Sequence, residues 1–295
     1  MNKVILDCDN TMSVLRSDVD DGLTFMYLYQ HPGVDLLGVT TTFANNKLHV
    51  VYDNTLQMLK DLNINDVKVR RGARTNEQLE SEAADFLVEQ ADKYPGEIVV
   101  IAIGSLQNIY CAYLKDNDFF NKIKRLILMG GVTEPLYING VHCRELNFSC
   151  AHVAAYNVLK YGKNISILSS QTTLQAWFGK EEINRIASKN NKLSKYLMPI
   201  LKEWIDYIGA RFKENGFHNW DLVTAIYLTN PELFETGDYR ISLSEENLKE
   251  GFIPEDIEGN AEEYAIIDHP TKILDLDRFN DLFHKMLDGL AEKME

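Results

Sequence analysis

A chain of 295 residues, 45% hydrophobic and 25% charged, has enough apolar content for a substantial core. Its net charge of −14 argues against a nucleic-acid backbone or an anionic membrane surface as the main partner. Four cysteines with no CxxC pair or zinc-type spacing read as free thiols of a reducing cytoplasm, and no apolar run is long enough for a signal core or a membrane span.

Short apolar runs alternate with amphipathic stretches, the pattern of βαβ units. In chain order the spacing predicts strand Val4–Asp7, helix Asp21–Tyr29, strand Leu36–Thr42, helix Leu48–Leu62, strand Val67–Arg70 and helix Glu80–Lys93. Strand Ile98–Ile103, helix Leu106–Leu114, strand Arg125–Met129, helix His152–Tyr161, strand Ile165–Leu168 and helix Glu181–Ser188 follow. A long helical block from Leu193 to Asn215, a helix beginning near Trp220 and a last helix from Asp277 to Lys293 complete the chain. With no repeat or flexible linker, this reads as one domain over residues 1–295. The expected class is α/β: a Rossmann-like, open, mostly parallel sheet with flanking helices. Its active site should lie beyond the carboxyl ends of the strands.

The strongest chemical signal is acidic. Asp7-Cys8-Asp9-Asn10 follows the first strand, and Asp18-Val19-Asp20-Asp21-Gly22 leads into the first helix. Five carboxylates within fifteen residues repel one another unless a cation or shared protons neutralise them. Helix capping accounts for Asp20 and Asp21, but not for Asp7 and Asp9 at a buried strand end. All-oxygen donors favour calcium, with magnesium second. Adjacent residues on a helix point about 100° apart, so one of Asp20 and Asp21 can hold metal while the other faces water or substrate. More polar residues crowd later strand ends: Asn45, then Asn139, Glu145 and Asn147 after Gly130-Gly131, and finally His218-Asn219-Trp220-Asp221.

A strand-end DxD followed by a helix-opening DD pair resembles the first motif of the inosine-uridine nucleoside hydrolase family, usually DxDPGxDD. Here Asn10 replaces the proline, and a longer loop within Thr11–Val19 precedes Asp20-Asp21. Val39–Asn45 resembles the family's strand-to-Asn segment, Ile103–Asn108 its GPLTN turn, and Leu128-Met129-Gly130-Gly131 its MGG turn. Asn139 and Glu145-Leu146-Asn147 keep its ribose-binding spacing, while Ala151-His152-Val153 replaces its DPE and loses a helix cap. The resemblance implies hydrolysis of a ribonucleoside to base and ribose, in nucleoside metabolism and salvage. Asp9, Asp21, Asp221 and the backbone carbonyl of Leu128 would hold calcium, supported by Asp7. Asp20 would be the general base, and Asn45, Asn139, Glu145 and Asn147 would bind the ribose. Trp220 stands where many relatives carry a catalytic His. It would stack on the departing base and favour purines, with His218 as the alternative acid. A homodimer or homotetramer is the implied assembly.

Two other readings compete. Val4–Thr11 fits the DxDxT motif of haloacid dehalogenase-like phosphatases, in which Asp7 would attack phosphorus and Asp9 protonate the leaving group. That reading leaves Asp20-Asp21, Glu145-Leu146-Asn147 and Trp220-Asp221 unexplained. Alternatively, the departures at Asn10, Thr11–Val19 and Ala151-His152-Val153 would mark a degenerate relative that binds nucleosides or ribose without turnover.

Overall fold

The computed structural model describes residues 1–295. Its first strand, β1 (Asn2–Cys8), shows how the sheet divides the core. Side chains alternate across a strand, so Val4, Leu6 and Cys8 enter an apolar cluster on one face and Ile5 enters another on the opposite face. β2 (Val34–Thr41), β3 (Val69–Arg71), β4 (Ile98–Ala102), β5 (Arg125–Met129) and β6 (Ile165–Leu168) continue the sheet. β7 (Phe234–Ser242) and β8 (Tyr264–Ile273) complete it at one edge. The spatial order is β7-β8-β6-β5-β4-β1-β2-β3. Every neighbouring pair is parallel except β7 with β8. The main helices are α1 (Asp20–Gln30), α2 (Leu48–Asp61), α3 (Glu82–Lys93), α4 (Gln107–Lys115) and α5 (His152–Tyr161). α6 (Lys192–Phe212), α7 (Leu222–Thr229) and α8 (Leu276–Met294) follow.

The expected Rossmann-like sheet is present, and all six predicted strands form. The antiparallel edge pair does not announce itself in the sequence, because Gly237, Asp238 and Arg240 interrupt the apolar pattern of β7 and Pro270 sits inside β8. Pro270 lies opposite Thr236, beside the register shift at Glu235/Thr236, where the ladder is already irregular. The long helix stops at Phe212, short of Asn215: Lys213 turns left-handed at φ 59° and donates its N–H to the Gly209 carbonyl, closing the last turn.

The topology places the site. From β1 the chain goes outward to β2 and β3, then returns to the other side of β1 as β4. Such a reversal opens a crevice at the carboxyl ends of β1 and β4. Two short antiparallel ribbons, Leu136–Ile138 with Val141–Cys143 and Trp177–Phe178 with Phe217–His218, add side walls.

Candidate active site

Asp7 forms the foundation. It is fully buried, and its Oδ1 accepts from the Thr40 hydroxyl at 2.5 Å and from the Asn108 side-chain amide at 2.7 Å. Asn108 also donates to the Thr41 carbonyl at 3.0 Å and accepts the Ala73 N–H at 2.8 Å. The last residue of the Ile103–Asn108 turn thus ties β1, β2 and the segment after β3 together. Burial pushes Asp7 up to about 7, against its hydrogen bonds. Committed to Thr40 and Asn108 beneath the site, Asp7 is a structural support, a place that disfavours it as a phosphatase nucleophile.

Above it four buried carboxylates converge. Oxygens of Asp20, Asp21 and Asp221 lie within 4.8 Å of one another. The Asp9 N–H donates to Asp21 Oδ1 at 3.0 Å, and the Asp221 N–H donates to Asp20 Oδ2 at 3.1 Å. Asp9 Oδ2 accepts the Asn45 N–H at 2.5 Å, while Asp9 Oδ1 is buried with no partner. No cationic side chain pairs with any of the four. Burial first, then like charges, lifts Asp9 to about 7 and raises Asp20, Asp21 and Asp221 well above the usual carboxylate range. An orphaned buried oxygen beside three mutually repelling carboxylates is the donor set of a hard divalent cation, and these residues fit one. Helix capping does not explain them, since neither α1 nor α7 has a side-chain cap bond. The positive ends of both helices nevertheless face the cluster.

Gly104 keeps this space open. A Cβ there would meet Asp9 Oδ1 at 2.9 Å and the Thr42 methyl at 2.7 Å. Gly104→Ala is expected to displace the Asp9 carboxylate and weaken affinity for any divalent cation held there about tenfold or more, losing an overpacking increment of about 1–3 kcal/mol in stability. Calcium titration of the melting temperature checks this; unchanged affinity would place Asp9 outside the cation site.

Through Asp20 and Asp221 the cluster opens into a cleft of about 330 Å³ whose walls also include Asp18, Asn45, Asn147 and Trp220. The Asn147 amide donates to the carbonyls of Ile103 and Met129, both at 3.0 Å, and so bridges the ends of β4 and β5. Glu145 also borders the cleft, but its carboxylate accepts backbone N–H groups of Gly131 (3.1 Å), Phe148 (2.9 Å) and Ser149 (2.9 Å). It organises the turn Phe148–Ser149 ahead of α5, which has no side-chain cap of its own. Asn139 departs from the expected ribose contact. It turns a ribbon at φ 48°, outside the cleft wall, and its amide donates to the Phe212 carbonyl at 2.9 Å. Leu128 has its side chain sealed in the core, so its backbone alone is available.

Trp220 is half-buried in the wall, with its ring centroid 5.2 Å from that of His218, which in turn lies 5.1 Å from that of Trp177. His218 Nε2 is 3.4 Å from Glu214 Oε2, too poorly aligned for a hydrogen bond, and burial lowers its pKa despite the nearby carboxylate. The Thr11–Val19 loop folds onto the site. Met12 is fully buried against Gly22, whose ideal Cβ would approach the Met12 sulfur at 2.3 Å. Asn10, in the proline's place, accepts at its carbonyl from Asn54 at 3.1 Å, which anchors the loop to α2. The loop thereby brings Asp18 into the cleft beside Asp20, whose pKa it raises further. Trp177, Trp204 and Tyr207 carry no motif in the sequence, and only the packing of α6 and the Trp177–Phe178 ribbon brings them near.

Comparison with known proteins agrees with this fold. The family model described as inosine-uridine preferring nucleoside hydrolase matches residues 4–281. A rice (Oryza sativa subsp. japonica) protein named probable uridine nucleosidase 2 is 26% identical over 261 residues, 79% of this chain and 75% of its own. The pyrimidine-specific ribonucleoside hydrolase RihA of Shewanella oneidensis is 26% identical over 80% of each chain. In fold, the purine-preferring ribonucleoside hydrolase from Gardnerella vaginalis superposes with a TM-score of 0.84 at 21% identity, covering 99% of this chain and 100% of the other. The plant nucleoside hydrolase PpNRh1 gives the same TM-score, 0.84, at 19% identity, covering 97% and 98%. The match spans both the Asp7–Asp21 segment and Asp221, and the chain belongs to the inosine-uridine preferring nucleoside hydrolase family.

Proposed function

We propose that this protein hydrolyses the N-glycosidic bond of ribonucleosides to free base and ribose, with calcium held by Asp9, Asp21, Asp221 and the Leu128 carbonyl. The observation that carries the proposal is the buried Asp20–Asp21–Asp221 cluster, open to a cleft with Asn45, Asn147 and Trp220 in its wall. When bound, a divalent cation supplies Lewis acidity and neutralises the cluster. Asp20 accepts the proton of the water that attacks C1′, a role that fits its place at the cleft surface of the cluster. Asn147 spends its amide on two carbonyls and leaves Oδ1 for a ribose hydroxyl. Asn45, fixed by its N–H on Asp9, presents its side chain to the same ring. Glu145 contributes by holding the loop that carries Asn147. Fixing the sugar in this way turns binding into orientation.

On the leaving-group side Trp220 stacks on the base, while His218, whose pKa burial lowers, is the secondary candidate for its acid. Relatives carry names on both the pyrimidine and the purine side, and the large indole face of Trp220 favours purines here. Four free cysteines, with no helix long and apolar enough to cross a membrane, agree with a cytoplasmic setting. A homodimer or homotetramer is proposed by resemblance to the family.

The direct test is release of free base from inosine, adenosine, uridine and cytidine, with calcium and with chelator. No release with calcium present would leave only a binding role. Base–aromatic stacking is worth roughly 1–3 kcal/mol per base. Trp220→Ala is therefore expected to lower purine-nucleoside kcat/KM by about one to two orders of magnitude, with partial recovery in Trp220→Phe. An enzyme that melts early but hydrolyses inosine normally would make Trp220 a packing residue. A loss of the alkaline limb of the pH–rate profile in His218→Ala would give His218 the acid role.

A further inference from the structure

Trp220 has a built support behind it. The Trp177–Phe178 and Phe217–His218 segments pair antiparallel, with His218 directly opposite Trp177. Their rings lie 5.1 Å apart centre to centre, and the His218 ring lies 5.2 Å from that of Trp220. Trp177, His218 and Trp220 thus form a ladder of rings whose last member borders the cleft. The far end of the ladder is clamped. A Cβ on Gly179 would meet Trp177 Nε1 at 2.5 Å, and one on Gly216 would meet Trp177 Cζ2 at 2.7 Å. Two backbone segments therefore press on this indole with no room for a methyl group.

The middle ring has a counter-charge. After the left-handed turn at Lys213, Glu214 places Oε2 3.4 Å from His218 Nε2. Both side chains are mostly buried, at 16% and 11% exposure, and neither that oxygen nor either ring nitrogen has a hydrogen-bond partner. A buried carboxylate oxygen and a buried imidazole nitrogen are costly when each stands alone, and a proton between them satisfies both. Among charged groups only Glu214 acts on His218. Its carboxylate and the Leu174 carbonyl favour the protonated ring, while burial opposes it. An imidazolium here has an indole on either side in the ladder, each within the roughly 6 Å over which aromatic rings attract a cation.

We propose that Glu214 is a positioning residue for the departing base: paired with His218, it holds the ring ladder in place and so sets the Trp220 face on which the base stacks. The inference rests on the ribosidase reading above, with Trp220 as the base platform. Glu214 touches no reacting atom in this role. It acts through His218 on Trp220, and Trp177 provides the fixed end. The pair tightens when His218 takes a proton while Glu214 stays ionised. Nucleoside affinity is therefore highest on the acid side of the His218 titration and falls as pH rises through it. Without the Glu214 charge that fall moves to lower pH, because burial is then less opposed. The role is separable from acid catalysis, since an acid at His218 puts its titration into kcat and the ladder puts it into KM.

The test measures kcat and KM for inosine from about pH 5 to pH 8, using the full chain with calcium, in wild type, Glu214→Gln, Trp220→Ala and the double variant. Glu214→Gln is expected to raise KM about threefold to tenfold on the acid side, with kcat changed less than about twofold. It should also move the rise in KM to lower pH and add nothing to Trp220→Ala. A Glu214 that only stabilises the fold would lower the melting temperature and leave the KM profile as in wild type, which overturns the proposal. An effect of Glu214→Gln that persists undiminished in Trp220→Ala overturns it too. A second measurement needs no turnover. The ring C–H resonances of His218, identified by their loss in His218→Phe, should titrate at lower pH in Glu214→Gln than in wild type, and an unchanged midpoint overturns the pairing. If no nucleoside yields base, the ribosidase reading fails separately, and calorimetric binding of inosine then decides. Weaker binding in Glu214→Gln supports the positioning role, and equal binding overturns it.

Discussion

Asp20→Asn protein is expected to fold, to bind calcium and nucleoside with little change, and to lose about 10²–10⁴-fold in turnover. The amide keeps the oxygen that accepts the Asp221 N–H at 3.1 Å, so the tie between α1 and α7 survives. It cannot take a proton from water. The readouts are kcat for base release, and separately nucleoside affinity measured without turnover. An unchanged kcat would move the base to Asp18, which borders the same cleft. A collapse of affinity together with kcat would instead give Asp20 a share of the cation.

Asp21→Asn is expected to do the reverse, abolishing calcium binding and base release while making the calcium-free protein more stable. Asp7 and Asp9 are raised to about 7, and Asp20, Asp21 and Asp221 well above the ordinary carboxylate range, mainly by burial. An acid whose folded-state pKa is raised binds its proton more tightly in the folded state. Its contribution to stability is therefore complete below the ordinary value of 3.8 and is lost as pH rises through about 7 and beyond. Chelated wild-type protein should melt at a falling temperature between about pH 5 and pH 8. Calcium should restore it most at the upper end, by about 2.7 kcal/mol at 100 times its Kd. Removing the Asp21 charge should flatten that pH dependence and erase the calcium effect. Melting curves at the two pH values, with chelator and with calcium, check both. A calcium response that survives in Asp21→Asn would place the cation elsewhere.

The parts of the protein legible in its sequence are those governed by local periodicity. β1, β4, β5 and β6 are short apolar runs buried on both faces, and α1 to α5 carry amphipathic or strand-adjacent patterns that are hard to mistake. The acidic segment was legible because carboxylates at a buried strand end have no cheap structural use. Side-chain commitments were not legible. Glu145 and Asn139 keep their spacing, yet Glu145 accepts three backbone N–H groups and Asn139 reaches for Phe212. Both outcomes depend on where distant backbone groups arrive in space. The edge strands β7 and β8 were hidden for a similar reason: their register is set by a partner strand, and their own polar alternation is weak. Spacing alone gave no hint that Arg16, Arg144 and Arg211 border the same cleft as Asp20 and Asp221.

The carboxylates at the floor of the cleft lie far apart along the chain, with Asp20 and Asp221 separated by 201 residues. During synthesis the first helix, its two aspartates included, leaves the ribosome long before α7 exists. Until residue 221 arrives, the nascent chain has only part of the donor set, and contacts at such separation form late because loop closure must come first. Affinity for a divalent cation at this cluster would thus report completed tertiary structure, and truncated or half-folded chains should lack it however much of the sheet they have built.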